Sequence, residues 1–201
     1  MSASDAVIER LRQNAAHHYL SWLTHRAERW AESPIEEAMF YALAGPCGLT
    51  AGTVWHWESC VAGALPGVSE LPPYYEGLRS GAVELYQQLP VDGYRLDLAV
   101  VGVVTDPVSR EEVGRVFVAV ECDGHEFHEK TKEQAQHDKA RDRRLQELGW
   151  LVARFTGSEI LRAPEQAAWD VYRLIQAERN RLRTARGLSP LPPHPLLESA
   201  P

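Results

Sequence analysis

Apolar and polar positions follow two different periods along the chain, and the change of period separates predicted helices from predicted strands. Residues 5–31 contain no proline or glycine and place apolar side chains at helical spacing, which predicts one long helix or two shorter ones. From residue 83 the apolar runs become short and rich in β-branched residues, as in strands. The elements predicted from there on are the strands Val83–Gln88, Tyr94–Val101, Val116–Val120 and Leu151–Phe155, a helix over 131–149, and a last helix from Ser158 or Pro164 to about Arg186. This order predicts an α/β fold.

Proline and glycine predict one domain with an extension at each end. We expect residues 1–32 to form an N-terminal helical extension and residues 33–186 to form the domain. Within the domain, residues 45–80 contain repeated glycine and proline, and we interpret them as an irregular insertion. Residues 187–201 are rich in proline and are predicted to be a disordered tail.

The first helix of the domain has a start signal in Ser33-Pro34-Ile35-Glu36. Ser33 suits the N-cap position, Pro34 suits the first turn, and Glu36, three residues after Ser33, completes a capping box. Glu36 therefore has a complete structural role, and a catalytic role for it needs support from elsewhere.

Acidic residues stand at the end of the most apolar predicted strand. The run Val116–Val120 has no polar alternation, which is typical of a strand buried on both faces, and it ends in Glu121-Cys122-Asp123-Gly124. Because side chains alternate along a strand, Glu121 and Asp123 point to one face, where the two carboxylates repel each other and a cation would relieve them. A solvated Asp-Gly turn is the alternative explanation.

A further acid, Asp97, lies inside the apolar strand Tyr94–Val101. A carboxylate in such a strand is unfavourable unless it is paired, metal-bound or at a solvated edge. The polar turn 105–114 joins this strand to Val116–Val120 as a hairpin. We therefore expect Asp97 and Glu121 to meet on one face of the sheet.

Composition restricts the class of protein. With 201 residues, 44% of them apolar and 24% charged, the chain has the composition of an ordinary soluble domain. No apolar run is long enough to span a bilayer, and the three widely spaced cysteines fit a reducing cytoplasm. The net charge of −7 does not favour a nucleic-acid partner. Residues 130–187, however, hold 13 of the 21 Lys and Arg residues and 8 of the 28 Asp and Glu residues, which allows a basic face.

Taken together, these residues resemble the PD-(D/E)XK nuclease superfamily. The similarity is closest to the restriction-endonuclease-like families of unknown function that are related to the very-short-patch mismatch repair endonucleases. It covers about residues 33–175 and rests on Ser-Pro-Ile-Glu at 33–36, Tyr94-Arg95-Leu96-Asp97, Glu121-Cys122-Asp123-Gly124 with His125 and His128, and Asp142-Arg143 followed by Leu145 and Gly149. The resemblance implies a restriction-endonuclease-like domain with a mixed central sheet flanked by helices.

The resemblance also implies a metal site and an activity. Asp97 and Glu121 would hold a catalytic Mg²⁺, or Mn²⁺ in its place, with Asp123 as a further ligand and Glu36 holding a metal-bound water or a second ion. Mg²⁺ needs oxygen ligands and binds through one or two carboxylates together with phosphate and water. The implied function is Mg²⁺-dependent hydrolysis of phosphodiester bonds by an endonuclease, with DNA as the expected partner.

One position departs from the superfamily pattern, because its lysine should stand two residues after Glu121, where this chain has Asp123. Four nearby residues could supply the missing positive charge or the proton transfer: His125, His128, Lys139 and Arg141. Cys122 and the two histidines also form a Cys-x2-His-x2-His spacing, although the sequence shows no fourth ligand for zinc.

The charged helix over 131–149 offers contacts to a phosphate backbone. Its basic residues that could meet phosphates are Lys139, Arg141, Arg143 and Arg144. Pairing within the helix, for example of Asp138 with Arg141, explains the same residues equally well.

Two other functions stay open. A non-catalytic nucleic-acid-binding protein with a degenerate nuclease site would explain the missing lysine, whereas the intact pair of Asp97 and Glu121 favours an enzyme. A metal-binding interaction protein without nucleic acid would fit the acidic net charge.

Overall fold

A six-stranded sheet with helices against both faces is the framework of the protein. The computed structural model describes residues 21, 23–44, 56–59, 64–72, 75–80, 82–124 and 132–192. In chain order, the elements are α1 (described at residues 23–30), α2 (Pro34–Ala44), β1 (His56–Ser59), β2 (Glu76–Ser80), β3 (Val83–Val91), β4 (Tyr94–Thr105), β5 (Glu112–Asp123), α3 (Lys132–Glu147), β6 (Trp150–Thr156), α4 (Gly157–Arg162) and α5 (Pro164–Ala185).

The strands lie in the sheet in the same order as in the sequence, from β1 to β6. Neighbouring strands are antiparallel except β5 and β6, which are parallel and are connected through α3. A parallel pair needs such a crossover connection. The predicted α/β fold, with a mixed central sheet flanked by helices, is confirmed.

Strand β4 shows how the sheet separates two apolar layers. Its side chains Leu98 and Val100 pack in one cluster with residues of α2 and α5, whereas Ala99 and Val101 pack in another with Leu145 of α3. Successive side chains of a strand point to opposite faces, so α3 lies on the face opposite to α2 and α5. Most of β4 and the end of β5 are buried on both faces, as the unbroken apolar run predicted.

Gly102 in β4 allows α5 to approach the sheet closely. A Cβ atom at this position would lie 2.8 Å from Cγ2 of Ile175 and 2.8 Å from Cδ of Arg179. Real Cβ atoms do not come so close to other heavy atoms, so a larger residue here would push α5 outward.

Helix ends follow the signals in the sequence. The N–H of Glu36 donates to Oγ of Ser33 (3.3 Å), and the Ser33 hydroxyl donates to the Glu36 carboxylate (2.8 Å), which confirms the predicted cap of α2. Gly149 follows α3 with φ of +90°, a conformation that favours glycine. The two candidate starts of the last helix, Ser158 and Pro164, correspond to two helices, α4 and α5.

Parts of the predicted extension, insertion and tail lie outside the described residues. Residues 1–20, 45–55, 60–63 and 193–201 are among those not described. Within 45–80, β1 and β2 extend the sheet beyond β3. In the first part of the predicted tail, the Ser189 carbonyl accepts a hydrogen bond from Arg183 (2.6 Å) and the Leu191 N–H donates to Asn180 (2.8 Å), so residues 189–191 pack against α5. Across the described ranges, no helix combines the length and the apolar character needed to cross a membrane.

Candidate functional site

Four polar residues on neighbouring strands form a line across the sheet, which we call the polar row: Gln88, Asp97, Glu121 and Arg154. The antiparallel pairing of β4 with β5 reaches Leu98 and Val120, and Asp97 and Glu121 are the adjacent residues just beyond this pair. The parallel pairing of β5 with β6 joins Glu121 to Arg154, and the register of β3 with β4 brings Gln88 opposite Asp97. The structure thus places Asp97 and Glu121 side by side, in the middle of this row.

Asp97 is a partly buried acid with little to stabilise its charge. Its Oδ2 accepts a hydrogen bond from the backbone N–H of Cys122 at 2.8 Å. Burial raises the pKa of Asp97 to about 6; the Cys122 N–H opposes the shift, and the nearby Glu36 carboxylate adds to it. The ordinary pKa of an aspartate is 3.8, so this side chain is held in an environment that disfavours an anion.

Glu121 is more deeply buried, with 3% of its side chain exposed. Burial and the neighbouring Asp97 raise the pKa of Glu121 to about 7, although Arg141 and Arg154 act in the opposite direction. The closest cation is Arg141 of α3, whose Nη2 donates to Oε1 of Glu121 at 2.6 Å. The two neighbouring acids are therefore ionised only against the cost of burial and of their mutual repulsion.

Arg141 connects α3 to the polar row. Besides Glu121, it donates to the backbone carbonyl of Arg95 at 3.0 Å, and its guanidinium carbon lies 5.9 Å from the ring centroid of Tyr94. Its Nε is buried and has no hydrogen-bond partner among the described residues. Leu145, one turn further along α3, is completely buried and anchors the helix on the sheet.

Asp123 lies next to the row and is paired with Arg154, an arginine that it shares with Asp142. Nη1 of Arg154 is 3.4 Å from its carboxylate, and Nη2 of the same arginine donates to Asp142 of α3 at 2.6 Å. Arg154 was not among the site residues predicted from the sequence. Its signal was the one that identified Asp97, a single charged residue within an apolar strand.

Glu36 joins the start of α2 to the polar row. Its carboxylate accepts hydrogen bonds from the Ser33 hydroxyl, from the Glu32 N–H at 3.0 Å and from Nε2 of Gln88 at 2.7 Å. The predicted structural role of Glu36 is therefore present, and in addition Glu36 positions Gln88. No pattern in the sequence indicated Gln88, which adopts a positive φ of 51° within β3.

The pair of Asp97 and Glu121 fits a hard divalent cation. Oδ1 of Asp97 and Oε2 of Glu121 make no hydrogen bond with the described residues, so each carboxylate has an oxygen available. Mg²⁺ binds through one or two carboxylates, with water and phosphate completing its shell. Within the described ranges, no group of three or more His, Cys, Asp or Glu side chains converges closely enough to hold a metal, and Asp123 is paired with Arg154 instead.

A zinc site that uses Cys122 receives no support from the geometry. The Cys122 side chain packs in the apolar layer formed with α2 and α5, on the face opposite to Glu121. Burial raises the pKa of the Cys122 thiol, and the nearby carboxylates raise it further, so the thiolate that zinc needs is unfavourable. His125 and His128 lie outside the described residues.

The four basic residues predicted to meet phosphates differ in their surroundings. Lys139 and Arg143 are exposed and form no ion pair with the residues that the structure describes. Arg144 is bound to Asp92 at 2.5 Å and to Glu147 at 3.2 Å, and Arg141 is bound to Glu121. Lys139 and Arg143 are therefore the two that keep their charge available at the surface of α3.

Comparison with protein families matches the part of the chain that contains this site. The family model REase_MTES_1575, of a restriction endonuclease-like family, matches residues 74–175, which is half of the chain and includes the whole polar row. No curated protein matches the chain, and no solved structure does. A domain of this kind indicates a nuclease with a nucleic-acid substrate, in general terms. The chain belongs to this restriction endonuclease-like family.

Proposed function

We propose that the protein is a metal-dependent endonuclease that hydrolyses phosphodiester bonds in DNA, with Asp97 and Glu121 as ligands of one Mg²⁺ or Mn²⁺. The observation that supports this most directly is the pair of neighbouring acids, whose pKa values are raised to about 6 and about 7 by burial. Acids held in this way lack counter-charge, and a bound cation supplies it.

A bound ion of this kind lowers the pKa of its water and neutralises the charge that develops at phosphorus. Arg141 takes the place of the superfamily lysine, because it is the cation in direct contact with Glu121. Its buried Nε has no partner among the described residues and is available to an anion, whereas Lys139 is exposed on the outer side of α3.

The exposed side of α3 would contact the nucleic acid. Lys139 and Arg143, one turn apart on that side, would contact backbone phosphates, because their charges are exposed and not used in ion pairs with the described residues. DNA as the substrate and a cytoplasmic location, which the three cysteines favour, belong to the same proposal.

A non-catalytic nucleic-acid-binding protein is the second candidate. It is favoured by the ion pair of Asp123 with Arg154, since the position of the superfamily lysine is used for structure here. The ion pair of Arg141 with Glu121 also neutralises one of the two acids without any metal.

Cleavage assays on three substrates distinguish the two candidates. Supercoiled plasmid, single-stranded DNA and RNA are each incubated with the protein in Mg²⁺, Mn²⁺ or EDTA. We expect metal-dependent cleavage of DNA that Asp97→Ala and Glu121→Ala abolish, whereas Glu111→Ala, at an exposed acid of the turn between β4 and β5, serves as the matched control. Binding without cleavage by the wild type would favour the non-catalytic protein, and near-normal activity of either site variant would remove the metal-ligand assignment.

A further inference from the structure

A pocket lies directly beside the polar row, on the side of β3. Its volume is about 370 Å³, which is in the range of small-molecule sites, and its walls include Arg29, Trp30, Glu32, Gln88, Pro90 and Arg95. Gln88 belongs to both the pocket and the polar row. Whatever occupies the pocket is therefore a close neighbour of Asp97.

Two polar atoms of the pocket residues are buried without a partner among the described residues. They are Nε1 of Trp30, which is a hydrogen-bond donor, and Oε1 of Gln88, which is an acceptor. Gln88 is 7% exposed, and its Nε2 donates to the Glu36 carboxylate, which leaves Oε1 as the amide atom without a partner among the described residues. A buried polar atom without a partner destabilises the folded protein, so both atoms favour a ligand that offers one acceptor and one donor.

Charge at the rim of the pocket adds a second requirement. The guanidinium carbon of Arg29 lies 5.3 Å from the ring centroid of Trp30, and the Arg95 side chain is 56% exposed while paired with Glu32. Glu32 balances the charge of Arg95, so Arg29 is the rim cation that suits a ligand with a negative charge. A planar edge with a donor and an acceptor, joined to an anion, is the chemistry of a nucleotide base.

We propose that this pocket, which we call the Trp30 pocket, binds one unstacked base of the nucleic acid, next to the phosphate at the polar row. The inference rests on the proposed function and adds a site that reads a base. Nε1 of Trp30 and Oε1 of Gln88 each expose less than 1 Å², so the base reaches them only after the two side chains rotate. Enzymes that take a base out of the stack read it by such hydrogen bonds in a fitted pocket.

Binding of modified oligonucleotides tests the pocket. Short single-stranded and duplex DNAs carry 2-aminopurine at one position at a time, and Ca²⁺ replaces Mg²⁺ to prevent hydrolysis during the titration. We expect 2-aminopurine emission to rise at one position when the protein binds. Trp30→Phe, which keeps a ring and removes the donor, should weaken binding about 2- to 10-fold, as expected for the loss of one hydrogen bond.

An abasic oligonucleotide separates base reading from other effects. When the base at the responding position is absent, wild type and Trp30→Phe should bind equally, because the interaction energy belongs to the pair. Trp169→Phe is the matched control, because Trp169 lies on α5 in the protein core. This variant should bind as wild type on both DNAs. Gln88→Met repeats the comparison without the acceptor, in case Trp30→Phe does not fold.

The outcomes distinguish the pocket from the nuclease. Binding with no rise in emission at any position would overturn the Trp30 pocket. So would Trp30→Phe weakening the binding of abasic DNA as much as that of intact DNA. Metal-dependent cleavage in a parallel assay would leave the nuclease proposal intact. A protein that neither binds nor cleaves any of these DNAs would overturn both proposals.

Discussion

Replacing Asp97 by Asn should stabilise the metal-free protein at pH 8 and remove most of its response to Mg²⁺. Asn keeps the shape of the side chain, and its oxygen can still accept the hydrogen bond from the Cys122 N–H, now 2.8 Å long. The substitution removes the charge of one of the two neighbouring buried acids and leaves the other, Glu121.

The magnitude follows from the pKa of Asp97, which is raised from 3.8 to about 6 by burial. A difference of about two pKa units corresponds to about 3 kcal/mol. Because the folded-state pKa is the higher one, this contribution to the free energy of unfolding is fully present below pH 3.8 and is lost as the pH rises through 6. The Asn variant lacks this loss, and after the cost of burying its amide we expect a net gain of about 1–3 kcal/mol at pH 8.

Urea denaturation in EDTA, at several values between about pH 4 and pH 8, measures this difference. Thermal melting with Mg²⁺ or Mn²⁺ measures the predicted loss of the metal response. In the wild type, an ion at a hundred times its dissociation constant stabilises the folded state by about 2.7 kcal/mol. Asp106→Asn is a control whose stability should change in the opposite direction. The N–H groups of Ser109 and Val108 lower the pKa of Asp106, so removal of this carboxylate charge should destabilise the protein at neutral pH.

Two results would refute the reasoning. A metal-free Asp97→Asn protein that is less stable than wild type at pH 8 would show that the buried charge of Asp97 is not costly. A wild type whose melting temperature responds to neither ion would exclude the metal site, and the nuclease proposal would fail with it.

Three further predictions concern the surface and the framework. Lys139→Gln and Arg143→Gln should each reduce the slope of log affinity against log salt by about one, whereas Arg144→Gln should change it less, because Arg144 is paired with Asp92; unchanged slopes in both would place α3 away from the nucleic acid. Gly102→Ala should lower the free energy of unfolding by about 1–3 kcal/mol in urea and keep the metal response. Ser33→Ala should cost about 1 kcal/mol in the same assay, and no loss would show that the cap of α2 is dispensable.

The positions of strands and helices could be predicted from the sequence because they depend mainly on how each residue is buried. The unbroken run Val116–Val120 indicated a strand covered on both faces, and β5 is one. Asp97 stood out as a lone acid in an apolar strand, and the hairpin between β4 and β5 fixed its neighbour, Glu121. A short connection between two strands leaves few possible pairings, so the residues that face each other can be predicted.

The partners of these acids could not be predicted, because they depend on contacts between distant segments. Arg154 reaches Glu121 through the parallel pairing of β5 with β6, and Arg141 reaches it through the rotation of α3 on the sheet. Gln88 faces Glu36 through a local change of φ in β3 that no sequence pattern marks. The interpretation of Asp123 as a metal ligand stays a prediction, since the sequence could not reveal its ion pair with Arg154.

The single parallel pairing also bears on the order of folding. From β1 to β5, every strand pairs with the next one in sequence, so this part can form from successive hairpins. Strand β6 can pair with β5 only once α3 has crossed the sheet, so we expect it to join in a slower step. Both cations next to Glu121 belong to this late segment, Arg141 on α3 and Arg154 on β6. We therefore expect its docking to slow as the pH rises above about 7, because an ionised Glu121 must then lose its water in the same step.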